Sequence, residues 1–175
     1  MIDESELTEH QKVMLDVWHR HGHAEFGTRD PDAAIATMND NPYIWAGGIG
    51  QLTVGRDAVH QFYSNDMCPN VPDDIALQPV GTIISKNRII DEFIFTFTHS
   101  IDMPWLLPSV APTGRKVEMA MCVMVGFEGD RISFEHLWWD QGGLLRQIGV
   151  IDHPALAHGA SAVPDLRQLI AADKV

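Results

Sequence analysis

The sequence is short of positive charge. Its 12 Lys and Arg stand against 24 Asp and Glu, a formal net charge of −12. Nucleic-acid phosphates are bound by clustered Lys and Arg, and no basic stripe occurs here, so nucleic acid is excluded as a partner. Cysteine is equally scarce: Cys68 lies in a Pro- and Asp-rich loop and Cys122 in an apolar run. That is neither a disulfide framework nor a zinc pattern, and a reducing cytoplasm is the expected compartment. No run approaches the roughly 20 apolar residues that span a bilayer, so no membrane role is expected. The first residues, MIDESELTEH, are acidic where a signal peptide would be basic and then apolar.

Several catalytic motifs are missing too. There is no G-x-S-x-G, and GGIG and GRD lack the strand–loop–helix context of a nucleotide loop. HRHGH, residues 19–23, resembles a metal motif, but His19 and His23 fall on the solvent side of the helix and no cluster completes a site. No metal and no cofactor are expected.

What is present is ordinary globular material, 175 residues with 45% hydrophobic, which argues for one core. Thr8-Glu9-His10-Gln11 fits a capping box, with Ser5 as a rival cap, and opens a helix running to about Phe26. On it Met14, Trp18, His21 and Glu25 share a face, so His21 and Glu25 form a buried i, i+4 pair. Short helices follow at about 31–38 and 56–65, the latter carrying Tyr63, with a strand at 43–46 between them. The period then changes to two, giving an antiparallel meander at about 75–85, 88–100, 116–127 and 131–139. This predicts an α+β fold, three N-terminal helices on a curved antiparallel sheet, which forms a cone whose mouth is a natural pocket. The cone domain is expected over residues 1–152, with 153–175 as an extension packed on or near it.

Alternation assigns the faces. Phe134, His136, Trp138 and Asp140 share the more apolar face of the last strand, which is placed inward, while Glu135 faces the rim. Phe93, Phe95, Phe97 and His99 make the inward row of the middle strand, and a bulge there would bring Glu92 inward. Trp45 and Trp138 are candidate cavity walls, and Trp105, in a Pro-rich loop, is a candidate lid. The strand at 116–127 is apolar on both faces, so its outer face is expected to pack on a second subunit.

The order FTFTHS, DMPWLLPSVAPTGRKVE, EGDRI, FEHLWWDQGGLLRQIGVID resembles the SnoaL-like polyketide cyclase family, within the nuclear transport factor 2 and ketosteroid isomerase superfamily. The resemblance covers roughly residues 7–152. It implies a cone fold, a homodimer formed through the sheet, a deep pocket for a small apolar molecule and no metal. In those cyclases an aspartate at the end of the last strand is the acid/base residue, which corresponds to Asp140. Their partner histidine lies on the preceding strand, which has no histidine here; His99 and His136, outside that strand, are the possible substitutes.

The expectation is therefore a cofactor-independent lyase or isomerase working beside a carbonyl. Asp140 or His99 would be the base and His136 the polarising group. His21, Glu25, Trp45, Tyr63, Glu92, Phe97, Trp105, Glu135 and Trp138 would form the substrate site. A non-catalytic ligand-binding protein and a dimeric interaction module stand as alternatives.

Overall fold

Helix α1 (Glu9–Gly22) begins where the capping box places it: the Gln11 amide N–H donates to Thr8 Oγ1, and Gln11 Oε1 accepts from the Thr8 amide N–H at 3.0 Å. Asp30 caps α2 (Pro31–Ala36), accepting from the amides of Asp32 and Ala33. Pro31 stands at the first turn, where its missing N–H costs nothing. Helix α3 spans Arg56–Gln61. The computed structural model describes residues 4–154 and 159–172.

The strands are β1 (Met38–Ala46), β2 (Gln51–Val54), β3 (Ala76–Ile84), β4 (Arg88–Thr98), β5 (Lys116–Glu128) and β6 (Arg131–Trp139). They form one curved, open sheet in the order β2-β1-β6-β5-β4-β3. From β3 to β6 the sheet is the expected antiparallel meander. At its other side the expectation fails: β1 lies parallel to β6 and carries β2 as a hairpin partner. The segment holding α3 carries the chain from the β1–β2 hairpin to β3, so the hairpin reaches the free edge of β6. Strand β2, four residues long and mostly exposed, leaves no pattern to read.

The second correction concerns β6. Gly126 pairs with Phe134 but Phe127 pairs with Ile132, which leaves Ser133 as an extra residue. A bulge of this kind reverses every side chain beyond it. Ile132 is fully buried, and the next inward residues are Glu135, Leu137 and Trp139. Phe134, His136 and Trp138, expected inside, stand on the outer face. There Tyr43 stacks on Phe134 at 5.2 Å, and Trp45 meets both His136 and Trp138 edge-on at 5.5 Å. Strand β4 pairs with β5 without a shift, so Asp91 and Phe93 line the interior and Glu92 lies outward opposite Cys122.

Helix α4 (Gln141–Gln147) follows β6. The Gln147 side chain donates to the Glu118 carbonyl and accepts from the Glu118 amide, both at 2.9 Å, continuing the β5 ladder after β6 has ended. Helix α5 (Gly159–Ala171) is longer than the one or two turns expected. It packs on β5 and α4, buries Val163 and pairs Arg167 with Glu118 at 2.6 Å.

Gly126 sits at the bulge because the Phe134 ring lies where a Cβ would be. Gly126→Ala is expected to destabilise the fold by about 1–3 kcal/mol through overpacking, read from the urea midpoint. An unchanged midpoint would show that the ring has room to move.

Candidate functional site

Two helices widen into π turns beside the interior. One follows α1 (His23–Thr28) and carries Glu25; the other follows α3 (Phe62–Met67) and carries Tyr63. Wide turns of this type recur at functional sites, because the extra residue per turn redirects a side chain. Here they bring Glu25 and Tyr63 to His21, the last polar residue on the buried stripe of α1. Glu135 arrives from β6 through the bulge.

The four side chains form one buried cluster. His21 Nε2 lies 3.0 Å from Glu135 Oε1, 3.2 Å from Glu25 Oε1 and 3.1 Å from the Tyr63 hydroxyl. The Tyr63 hydroxyl donates to Glu135 Oε1 at 3.1 Å. On the far side of the ring, Nδ1 donates to Thr37 Oγ1 at 2.6 Å, and the Thr37 hydroxyl donates to the Ala34 carbonyl at 2.7 Å. The Thr37 proton is thus committed, so Nδ1 must carry its own, and the ring orientation is set. Trp18 stacks on the imidazole at 5.8 Å.

Burial alone would push the His21 pKa down. The adjacent carboxylates, Glu25 first and then Glu135, reverse that and raise it to about 10. His21 is therefore an imidazolium at neutral pH. Burial pushes the Glu25 carboxyl up, against the pull of His21, and Glu135 adds to the rise. The Tyr63 hydroxyl is raised well above its ordinary value by burial and by the two carboxylates, and stays protonated.

Glu25 and Glu135 open onto a cavity of about 980 Å³. Its wall is mostly apolar and aromatic, with Trp18, Phe26, Phe93, Trp105 and Trp139 among its residues. Asp91 is the other carboxylate in the wall; it accepts from Trp18 Nε1 at 2.9 Å and from the Thr82 hydroxyl at 2.7 Å. His19 and His23, exposed as expected, also line the cavity.

Of the residues proposed from sequence, His21, Glu25, Tyr63 and Glu135 come together. Trp105 belongs to the wall, held by a bond from its Nε1 to the Asn70 carbonyl at 3.0 Å. Phe97 is buried in the core against Phe95. Trp45, Trp138, His136 and Glu92 lie on the outer face. His136 Nε2 there meets the Tyr43 hydroxyl at 3.1 Å. His99 is buried outside the cavity wall, with Nδ1 on Thr113 and Nε2 lacking a partner among the described residues. Asp140 is exposed and caps α4 through the Gly143 amide at 2.9 Å. Asp91, Thr37 and Trp139 were missed. Alternation with Phe93 and Phe95 would have found Asp91; Trp139 was hidden by the bulge.

One nitrogen of His21 and one oxygen each of Glu25 and Glu135 lie within 4.8 Å of one another. These donors could close on a divalent cation, which would first have to displace the protons the cluster holds. Among the described residues, no helix is long and apolar enough to cross a membrane.

A family model for the SnoaL-like domain matches residues 19–135, more than half of the chain. The chain belongs to the SnoaL-like domain family. No curated protein matches the sequence. Among solved structures, one from Jannaschia sp. CCS1, proposed to be a SnoaL-like polyketide cyclase, superposes with a TM-score of 0.70 at 11% identity, over 84% of this chain and 99% of that one. IdmH of Streptomyces antibioticus, proposed to be a polyketide cyclase, gives 0.58 at 21% identity, over 78% and 98%. A nuclear transport factor 2-like protein of unknown function from Burkholderia pseudomallei gives 0.61 at 20% identity, over 78% and 98%. At such identities the likeness establishes the fold: this SnoaL-like chain has an open, curved sheet and flanking helices like those of these structures.

The raised pKa of His21 has a definite sign in stability. Its contribution is fully present below the unfolded value of 6.5 and is lost as pH rises towards about 10. Nitrogen NMR at a pH of about 8 should show both ring nitrogens protonated. A neutral ring at that pH would contradict the charge state derived from this geometry.

Proposed function

We propose that the chain is a cofactor-independent acid/base enzyme of the isomerase, lyase or cyclase type. It acts beside a carbonyl of a small, cyclic, mostly apolar substrate. The observation that carries this is the convergence of Glu25 and Glu135 on the floor of an apolar cavity, joined by a buried imidazolium. The neighbours proposed to be polyketide cyclases support the same reading.

The step balances within the cluster. Glu135, held by the Tyr63 hydroxyl and His21, takes a proton from the carbon next to the carbonyl. The C–H electron pair moves into the new carbon–carbon double bond. Glu25, a carboxyl that burial pushes up against the pull of His21, acts in its protonated form and donates its proton to the carbonyl oxygen, giving the enol. Return of a proton to a different carbon, or loss of a neighbouring leaving group, completes an isomerisation or elimination. His21 lies 3.0 Å from Glu135 and 3.2 Å from Glu25 and holds the two carboxyls side by side, the arrangement that separate acid and base roles need. Asp140, His99 and His136 lie outside the cavity wall and have no part in this scheme.

The same reading takes the protein to be cytoplasmic and homodimeric through the outer face of the sheet. The Tyr43, Trp45, Phe134, His136 and Trp138 stack supports this, with Trp138 38% exposed. Trp138→Glu should then shift the sedimentation coefficient from dimer to monomer; a monomeric parent chain would remove the dimer from the proposal.

Turnover is tested by exchange of α-protons of cyclic ketones such as tetralone into heavy water. Glu25→Gln and Glu135→Gln are each expected to slow exchange by about 10²-fold or more, while Asp140→Asn leaves it unchanged. A parent protein that binds the ketones but exchanges no proton would favour a ligand carrier instead.

A further inference from the structure

We infer that Asp91 recognises a basic nitrogen, and that the ligand of the cavity is an apolar amine. Asp91 is half-buried in a wall that is mostly aromatic and aliphatic, and none of the wall residues is Lys or Arg. Its two hydrogen bonds, from Trp18 and Thr82, come from neutral donors. Among the described residues it has no ion-pair partner, whereas Asp16 has Arg20 and Glu118 has Arg167. The side chain thus faces the cavity with neutral donors and no counter-charge, and a bound ammonium would supply that counter-charge through a charge-assisted hydrogen bond. The other titratable groups of the wall are Glu25, Glu135, His19 and His23. The one buried cation near it, His21, is already shared between Glu25 and Glu135 and does not line the cavity. A carboxylate or phosphate ligand would add negative charge to three acidic side chains and meet no fixed cation in the wall.

The wall is also rich in aromatic rings. Trp18, Trp105, Trp139, Phe26 and Phe93 all contribute to it, and an ammonium over such rings is attracted by their quadrupoles. Trp18 links the two polar stations. Its Nε1–H holds Asp91 while its ring stacks on His21, so Trp18 and His21 together join Asp91 to the Glu25/Glu135 floor. A ligand that carries both an ammonium for Asp91 and a carbonyl for the floor engages both stations of the one cavity, which defines an amino ketone. The carbonyl half of this statement rests on the proton-transfer reading above; the amine site does not.

The probes are aminotetralin, tetralol and tetralin carboxylate, three ligands of one shape and different charge, titrated into the full-length protein by calorimetry near neutral pH. The amine is expected to bind about 10-fold or more tighter than the alcohol, as charge-assisted bonds exceed neutral ones, and the carboxylate weakest of all. Asp91→Asn should bring the amine down to the affinity of the alcohol and leave the alcohol unchanged, with an unaltered melting temperature as the control on folding. Equal binding of amine and alcohol by the parent protein would overturn the inference. So would an amine preference that survives Asp91→Asn, or a failure of all three probes to bind. Failure of ketone exchange alongside a clear amine preference would overturn only the catalytic reading and leave Asp91 as an amine site.

Discussion

The imidazolium of His21 is the constraint on which the rest of the site depends. It is fully buried, and neither it nor the two glutamates beside it would be tolerated alone in that position. Each is held by groups from a different element: Thr37 and Ala34 after and within α2, Tyr63 from the second π turn, Glu135 from β6. Removing His21 would leave two adjacent carboxyls without a counter-charge, and removing either glutamate would weaken the case for the charge on His21. An aliphatic set of similar volume would serve stability at least as well. Three ionisable groups at the edge of a cavity are thus not required by folding, and the proposed proton transfer is the role that uses them.

The bulge at Ser133 decides which chemistry the cavity receives. Without it, β6 would carry Phe134, His136 and Trp138 into the interior and leave Glu135 outside. With it, one carboxylate and Trp139 enter, and the aromatic row becomes an exposed stack on the outer face. Gly126 makes this arrangement possible, since the Phe134 ring occupies the space a side chain would need. Backbone register thus sets the electrostatics of the site.

This explains what could be read from the sequence and what could not. The helical stripe on α1 identified His21 and Glu25 as a buried pair because a 3.6-residue period is insensitive to events elsewhere in the chain. Strands β3 to β6 were readable for the same local reason, and so was the inward row of β4. The face of β6 beyond Ser133 was not, because one inserted residue inverts a period of two without altering composition. Asp140 illustrates a different limit. It stands at a strand end, where the family resemblance places an acid/base residue, yet its side chain is taken by the Gly143 amide as a helix cap. The parallel pairing of β1 with β6 depends on a crossover that no local pattern encodes.

The π turns connect these points. Glu25 and Tyr63 each sit on a widened turn, and both turns face the same imidazole. A regular helix after α3 would advance its side chains by the ordinary 100° per residue and change where Tyr63 points, whereas Glu25, four residues after His21, is in reach of it on either kind of turn. Two such departures from ideal geometry, together with a bulge in β6, all bear on four side chains. Register also shifts between Pro79 and Gly81 in β3 and between Met38 and Tyr43 in β1, but it is the two π turns and the β6 bulge that carry Glu25, Tyr63 and Glu135 to one imidazole at the cavity floor.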